Sequence, residues 1–455
     1  MTTMTPQLDA KTRQLKLQSL RSALIGNGLE YFDWTAYAVF SPFIAGALFA
    51  SSDPTSSLLL TLAVFAVSFI IRPIGGWIFG RMADKRGRKD ALVASMILMG
   101  VGSLLLALIP PYASIGITAS VLLLVVRLIQ GLAYGGESSA AYVYVSELAP
   151  ASRRGLWSST IFMTVTLGAI AGSVFGFGLT ALLPVDAMAA WGWRVPFIVG
   201  ALLSIYALWL RRRSVETEVG STLSAAEDST AGDPASEALA GSAKRVLVLR
   251  LLRLFFILGA TNVAFYTWLS FASTYAISTL GMDKQGAFAA SLGAQVLSVA
   301  LFPFFGWLSD RVGRKPVAIF ATAGFAAITF PLSAFLNVNP WTLFTAQLIA
   351  LVFWTAVGSV WPAVLAEGVT PRERAVGLGI TTSLAAGIFG GTAPYLNTWL
   401  TSMGSGWMFS TYVVVIMVIA TGLLFTMRET RGIDLATMER PASDSSDLRQ
   451  EKTVV

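Results

Sequence analysis

The chain contains neither histidine nor cysteine. Imidazole proton transfer, thiol chemistry and soft metal sites therefore have no side chains to use. What remains for chemistry is a small set of carboxylates, arginines and tyrosines placed inside long apolar runs. In GNGLEYFDWTAY (Gly26 to Tyr37), Asn27, Glu30, Asp33 and Tyr37 recur at helical spacing and share one face. The next run holds Arg72, and a later one sets Arg127, Gln130, Tyr134, Glu137 and Ser138 along one stripe. Ionisable groups inside a membrane span are costly and are read as functional by default. The second half has no acid or base at such depth. It offers Asn262, Tyr266 and Ser270 in one run, Gln295 in the next, and Trp354 and Trp361 in a third. A division of labour is expected, in which the first half handles charge and protons and the second adds aromatic and hydrogen-bonding contacts to a solute.

Desolvation favours the protonated form of a carboxylate and a nearby arginine favours the ionised form. A carboxylate that exchanges an arginine partner for a proton can thus couple protonation to movement. Asp33 and Glu30 are the candidates for this role; the competing reading of Asp33 is a permanent structural pair with Arg127 or Arg72. Glu137 either pairs with one of these arginines or carries a proton itself. Arg127 and Arg72 each offer a fork of donors to a solute carboxylate, although Arg72 could instead bond helix carbonyls beside Pro73. Tyr37, Gln130, Tyr134, Asn262, Tyr266 and Trp354 complete the expected solute-binding set. The glycines Gly131, Gly135 and Gly136 read as close helix packing. No metal site and no cofactor is expected.

These residues need a membrane scaffold to position them. Of 455 residues, 55% are hydrophobic and only 13% charged, against roughly 25% charged in soluble domains, and the mean hydropathy is +0.68. Apolar runs near residues 22–50, 58–82, 90–110, 117–146, 156–183 and 194–210 precede a polar interval. Runs near 250–279, 286–309, 316–336, 341–366, 375–400 and 406–427 follow it. Each can supply the ~20 residues a helix needs to cross a bilayer, so twelve transmembrane helices in an all-α membrane protein are predicted. Lys and Arg concentrate in alternate loops, with Arg194 and Lys284 as the exceptions, which places both termini in the cytoplasm. The net charge of +7 is spread over short loops, so it indicates lipid headgroups and topology and not nucleic acid. The expected organisation is a cytoplasmic N-terminal segment at 1–20, a six-helix bundle at 21–213, a cytoplasmic linker at 214–245, a second bundle at 246–430 and a cytoplasmic tail at 431–455. A monomer is expected.

The halves are related by a repeat. GRMADKRGRK (Gly80 to Lys89) recurs as GWLSDRVGRK (Gly306 to Lys315), each between two apolar runs. The glycine permits close helix approach, the acid can face a neighbouring helix N-terminus, and the bases hold the loop in the cytoplasm. A second correspondence sets Glu147 with Arg153 and Arg154 after the fourth run, and Glu367 with Arg372 and Arg374 after the tenth. Asp84, Arg88, Glu147 and Arg153 from one half, with Asp310, Arg314, Glu367 and Arg374 from the other, form a candidate cytoplasmic gate. The bland alternative is a set of solvated loop charges worth little each.

The paired loops resemble the signature of the major facilitator superfamily. GNGLEYFDWTAY, RPIGGW (Arg72 to Trp77), RLIQGLAYGGE (Arg127 to Glu137), WGWRVPF (Trp191 to Phe197) and FYTWLSF (Phe265 to Phe271) resemble its metabolite:proton symporter branch. That branch includes carriers of α-ketoglutarate, citrate, shikimate and proline/betaine. The run from Arg72 through Trp209, and FGGTAPY (Phe389 to Tyr395), are most similar to the α-ketoglutarate carriers. The resemblance implies two pseudo-symmetric six-helix bundles and proton-coupled import of a small carboxylated metabolite across a bacterial plasma membrane. Shikimate, citrate or a zwitterion such as proline or betaine are the alternatives. Ser138 replaces the aromatic residue the branch often carries after GGE. Thr274 stands where the α-ketoglutarate carriers have a lysine, and Ile161 or Phe162 where they have a glutamine. LGAIAGSVFG (Leu167 to Gly176) lacks the Gly-Pro pattern of drug antiporters, which disfavours export. A transporter-like receptor would need a signalling domain and an enzyme a nucleotide loop or a His- or Cys-based site, and neither is recognisable.

Overall fold

The computed structural model describes residues 6–50, 53–86, 88–135, 145, 149–212, 234–368 and 379–433. Glu137, Ser138, Glu147, Arg372 and Arg374 lie outside the described residues, as do the side chains of Asp84 and Arg88. The protein is all-helical, with no strand among the described residues, and its twelve spans form two six-helix bundles.

Span one is Pro6–Leu48, span three Arg88–Leu108, span four Thr118–Tyr134, span five Arg154–Leu182 and span six Val195–Arg212. Span two consists of Pro54–Ile70 and Arg72–Arg86, interrupted where Pro73 removes a donor and crowds the carbonyl of Phe69. Its first turn is capped by Asp53, which accepts from the backbone amides of Thr55 and Ser56. In the second bundle, span eight is likewise divided into Lys284–Val299 and Leu301–Val312, with Pro303 just past the break. Span seven joins Pro234–Ala264 to Ala272–Leu280 through the π-helical turn Phe265–Ser270. Span eleven joins Gly379–Ala385 to Ala393–Ser402 through a second π-turn, Ala386–Gly391. Spans nine, ten and twelve are Arg314–Phe335, Pro340–Gly368 and Gly406–Thr426. Among the described residues, eight helical units are long and apolar enough to cross a membrane by length and composition alone. Span one, which carries Glu30 and Asp33, is not among them.

Two helices extend beyond the predicted apolar runs, one of them into a linker that the sequence reads as disordered or loosely helical. The helix of span seven begins at Pro234, so residues 234–245 of the predicted linker are helical. Their composition accounts for this: Pro234 is compatible with a first turn, and alanines with Glu237 and Leu239 are strong helix formers. The helix of span one likewise begins at Pro6, inside the predicted N-terminal segment.

Close crossings give the first bundle its rigidity. A Cβ added at Gly131 would overlap the Ser68 carbonyl oxygen, and one at Gly135 would overlap that of Arg72. Spans two and four therefore approach backbone to backbone, as small residues permit in membranes. The two bundles meet in the same manner where span five crosses span eight. A Cβ on Gly306 would stand 2.8 Å from the Gly155 oxygen and 3.0 Å from the Ser159 Cβ.

Gly131→Val is expected to lower stability by about 1–3 kcal/mol or more, because the overlap is with backbone. Gly422→Ala, on an exposed face with nothing within 4 Å, should be nearly neutral. Thermal unfolding of the two purified variants in detergent checks the contrast.

Candidate substrate and proton site

The charges of the first bundle converge. Asp33 is buried, and its Oδ1 accepts a 2.6 Å hydrogen bond from the Ser103 hydroxyl of span three. Its Oδ2 accepts from three residues of span four: Arg127 Nη1 at 3.2 Å, Gln130 Nε2 at 3.1 Å and the Tyr134 hydroxyl at 3.3 Å. Arg127 Nη1 also donates to Gln130 Oε1 at 2.9 Å, and Gln130 Nε2 lies 3.1 Å from Ser103 Oγ. The helical spacing of residues 127, 130 and 134 puts all three on the face that meets span one. The spacing that groups Asn27, Glu30, Asp33 and Tyr37 does the same from the other side.

Aromatic rings enclose both arginines. The Arg127 guanidinium carbon lies 3.6 Å from the Tyr37 ring centroid and 5.2 Å from that of Trp34. That of Arg72 lies 4.0 Å from Phe69, 4.4 Å from Trp34 and 5.5 Å from Tyr134. Such contacts hold a cation in a dehydrated place by the ring quadrupole. Glu30 is buried, and its charge acts on Tyr134 together with those of Asp33, Arg127 and Arg72.

The hydrogen-bond inventory of this cluster is unbalanced. Arg127 Nε and Nη2, Arg72 Nε and Trp34 Nε1 are buried donors without a partner among the described residues. Unpartnered acceptors nearby on span one are Asn27 Oδ1 and the Thr35 hydroxyl. Buried polar groups are nearly always satisfied, so a surplus of cationic donors favours an acceptor-rich guest.

Of the remaining predicted residues, Tyr37 lies against Arg127 and Tyr266 is near Arg72, whereas Asn27, Asn262 and Trp354 are turned to other contacts. The Tyr37 hydroxyl is committed to the Thr61 carbonyl at 2.9 Å. Asn27 donates to Ile161 O and Thr164 Oγ1, tying span one to span five. Asn262 donates back to Leu258 O of its own helix. Tyr266, on the π-turn of span seven, packs edge-on against Phe65 and Phe69 of the first bundle at 5.8 and 5.3 Å. Trp354 is buried among Phe162, Phe265 and Phe302, with its indole N–H unpartnered among the described residues. Thr274 donates to the Ala38 carbonyl at 2.7 Å, a contact between the two bundles.

A second charge cluster joins the bundles on the face where the basic loops lie. Glu367 of span ten pairs with Arg154 of span five at 2.8 Å, and Arg314 Nε stands 3.6 Å from its other oxygen. Thr430 donates to that oxygen at 2.7 Å. Asp310 receives Arg314 Nη1 at 2.7 Å and the amides of Gly155 and Leu156 at 2.8 and 2.9 Å, at the first turn of span five. Arg153, the predicted gate residue, is exposed, and its neighbour Arg154 makes the buried pair. The helical turn following Pro150 decides which of the two points inward. Ser103, Trp34, Phe69 and Glu429, which accepts from the amides of Arg314 and Lys315 at the start of span nine, were not singled out by sequence reasoning. For Trp34 the signal was its place in the span-one motif; an apolar run around Ser103 offers none.

The chain matches the family described as "Sugar (and other) transporter" over residues 21–441. It is 35% identical over 420 residues to the alpha-ketoglutarate permease of Escherichia coli (strain K12), covering 91% of this chain and 94% of that protein. It is 30% identical to the citrate-proton symporter of Salmonella typhi (83% and 86% covered). Identity to the proline/betaine transporter of Salmonella typhimurium is 28% (97% and 88% covered). Among solved structures, the proton:xylose symporter XylE bound to 6-bromo-6-deoxy-D-glucose superposes with a TM-score of 0.77 at 18% identity. That match covers 94% of this chain and 99% of XylE, and the likeness is one of fold.

Arg127→Met would leave the Asp33 carboxylate buried without its cation, at an expected cost of about 3–5 kcal/mol. Combining it with Asp33→Asn should recover most of that loss, a coupling that a double-mutant cycle of thermal unfolding reads directly. At the second cluster, Glu367→Gln should raise thiol labelling of a single cysteine at the buried Ser159 roughly tenfold, the equivalent of ~1.4 kcal/mol toward separation.

Proposed function

The chain belongs to the sugar (and other) transporter family, within the major facilitator superfamily, and on that premise we propose that it imports a small organic anion by proton symport. An α-ketoglutarate-like dicarboxylate is the favoured solute. Its site lies between the bundles, around Arg127 and Asp33, and is exposed alternately to the two sides of a bacterial inner membrane. The basic-loop face is assigned to the cytoplasm, with both termini, by the positive-inside rule.

The observation that carries this reading is the half-satisfied Arg127. It holds Asp33 through one nitrogen while Nε and Nη2 remain free of partners among the described residues. A solute carboxylate taken by that arginine competes with Asp33 for the same cation. Asp33 then has less reason to stay ionised, and a proton replaces the lost positive partner. Solute and proton therefore favour each other's binding, a reciprocal linkage. For one solute carboxylate the charge beside Arg127 is conserved, because the pair of Arg127 and Asp33 becomes a pair of Arg127 and that carboxylate beside a neutral acid; the second carboxylate of a dicarboxylate is left to Arg72. Arg72, held over Trp34 and Phe69, adds positive potential beside the site. Tyr266 and Trp354 close it from the second bundle.

A zwitterion such as proline or betaine is the second reading, favoured by similarity to the proline/betaine transporters. It would need an aromatic or acidic place for its cationic end, and the faces of Trp34, Tyr37 and Phe69 are already taken by the protein's own arginines. The anion reading is preferred for this reason. For reorientation, Arg154, Asp310, Arg314 and Glu367 form the gate on the cytoplasmic side. Opening that side requires Glu367 to part from Arg154 and Asp310 to leave the span-five amides.

Uptake of labelled α-ketoglutarate into proteoliposomes, with and without an inside-alkaline pH gradient, tests the proposal. Gradient-driven accumulation is expected in the parent protein. Asp33→Asn should keep binding and exchange while losing accumulation, and Arg127→Met should lose binding by tenfold or more, since a charge-assisted bond is worth roughly 1.5–3 kcal/mol. Accumulation unchanged in Asp33→Asn removes Asp33 from the coupling. Uptake of betaine and not α-ketoglutarate selects the second reading.

A further inference from the structure

The donors around Asp33 are not equivalent. Among the described residues Oδ2 is contacted only by span-four groups, and two of those, Arg127 Nη1 and Gln130 Nε2, are donors in every protonation state. Oδ1 is contacted by Ser103 at 2.6 Å, the shortest of the four hydrogen bonds. A serine hydroxyl can donate or accept, and here its oxygen already lies within reach of Gln130 Nε2 at 3.1 Å. Its second lone pair can serve a proton borne by Oδ1. Ser103 is itself 1% exposed, so this bond does not compete with bulk water.

We infer that Oδ1 is the atom of Asp33 that takes the transported proton, and that Ser103 is the positioning residue for that step. The inference rests on the reading of Asp33 as the proton-coupling carboxylate. In the ionised state the hydrogen bond runs from Ser103 Oγ–H to Oδ1. When a proton from solution arrives, an O–H bond forms at Oδ1 and the Ser103 hydrogen bond breaks. The hydroxyl rotates, and the new bond runs from Oδ1–H to Oγ. Release of the proton on the other side reverses each change. Nothing is consumed except the gradient, and the hydroxyl satisfies Oδ1 in both states. Oδ2 cannot accept a proton without turning two fixed donors against it, so the span-four contacts direct protonation to the opposite oxygen.

The groups that face Asp33 from each neighbouring span agree with this assignment. Glu30 and Tyr37 lie on its own helix, Arg72 comes from span two, and Arg127 with Tyr134 from span four. Span five has no ionisable residue between Gly155 and Leu182. Span six presents Gly200, where an added Cβ would lie 4.0 Å from Oδ1. No second charge therefore stands on the Oδ1 side among the described residues of spans three, five and six, and Ser103 is the group that sets its chemistry.

The test is infrared titration of the full-length protein in lipid, following the carbonyl band of a protonated carboxyl group, with Asp33→Asn identifying the band. Ser103→Ala should move its midpoint to higher pH by about one unit, a tenfold gain in proton affinity, because the charge-assisted bond lost by the ionised form is stronger than the neutral bond lost by the protonated one. The band should also move to higher frequency, since the carboxyl loses its acceptor. Ser103→Thr should restore both, and Ser103→Cys, a weak donor of similar size, should fall between and serves if the alanine variant does not fold. A purely structural serine would change thermal stability and leave the midpoint in place. An unmoved midpoint in Ser103→Ala, failure of threonine to restore it, or the lack of any Asp33 band across the accessible pH range overturns the inference. The titration needs no solute. Failure of α-ketoglutarate uptake beside a shifted band would therefore sink the substrate reading alone.

Discussion

Everything in this protein depends on how charge is buried where water cannot reach it. Taking a carboxylate and a guanidinium out of water costs several kcal/mol per ion even after relaxation, and the cost is offset only when each charge finds a partner and its remaining donors and acceptors are met. Both clusters satisfy their carboxylate. Glu367 has Arg154 and Thr430 in contact and Arg314 close by, and Asp33 has Ser103, Arg127, Gln130 and Tyr134. In each, one arginine, Arg314 or Arg127, keeps two buried nitrogens without a partner among the described residues. What separates the clusters is their place. The Glu367 pair ties span ten to span five and so latches the two bundles together, whereas the Asp33 pair lies inside the first.

The rest of the scaffold keeps those charges at fixed distances. Spans two and four touch through glycines, so that Arg72 and Arg127 move as one body. At the basic-loop face the helix ends themselves are used as charges. Asp310 sits on the amides that open span five, and Glu429 on those that open span nine. Lys315 Nζ reaches the carbonyls of Phe425 and Met427 that close span twelve. Anions at helix N-termini and a cation at a C-terminus each complement the helix dipole. The latch is therefore built from backbone as much as from side chains, and the Gly155–Gly306 crossing lets the backbones come close enough for it to work.

Much of this was legible in the sequence, and the part that was not has a physical explanation. The spans could be read because hydropathy is a sum over ~20 residues and tolerates local error. Asp33, Arg127, Gln130 and Tyr134 could be read because helical spacing alone puts them on facing stripes. Ser103 could not, since a serine in an apolar run more often returns its hydroxyl to its own helix, as Ser68 and Ser204 do here. Only the packing of span three against spans four and six, which brings its hydroxyl to Asp33, distinguishes it. The choice between Arg153 and Arg154 depended on one residue of helical phase at the start of span five, finer than boundary estimates reach. The stretch after Pro234 reads in the sequence as a linker, disordered or loosely helical, and its alanines carry the helix that is there. Of the departures, Thr274 makes a backbone hydrogen bond between the bundles and Phe162 an edge-on contact to Trp354, while the alternative position Ile161 lends its carbonyl to Asn27.

The asymmetry of the halves follows from the same constraint. The duplicated loops show two related bundles, yet the deep ionisable residues are confined to the first. The second places irregular backbone opposite them instead, as π-turns at Phe265–Ser270 and Ala386–Gly391. A π-turn disturbs the regular ladder of carbonyls, and those of Trp268 and Leu269 are taken up by Gln347 and Gln295 of neighbouring spans, as lipid-embedded backbone requires. Tyr266, carried on one of these turns, lies against Gly390 of the other and against Phe69, whose ring also underlies Arg72. Movement of the second half thus changes the cover over Asp33 and Arg127 without separating that pair. Keeping the Asp33–Arg127 pair within one bundle allows the bundles to rock without parting it, whereas the Arg154–Glu367 pair, which spans them, is the one that must break.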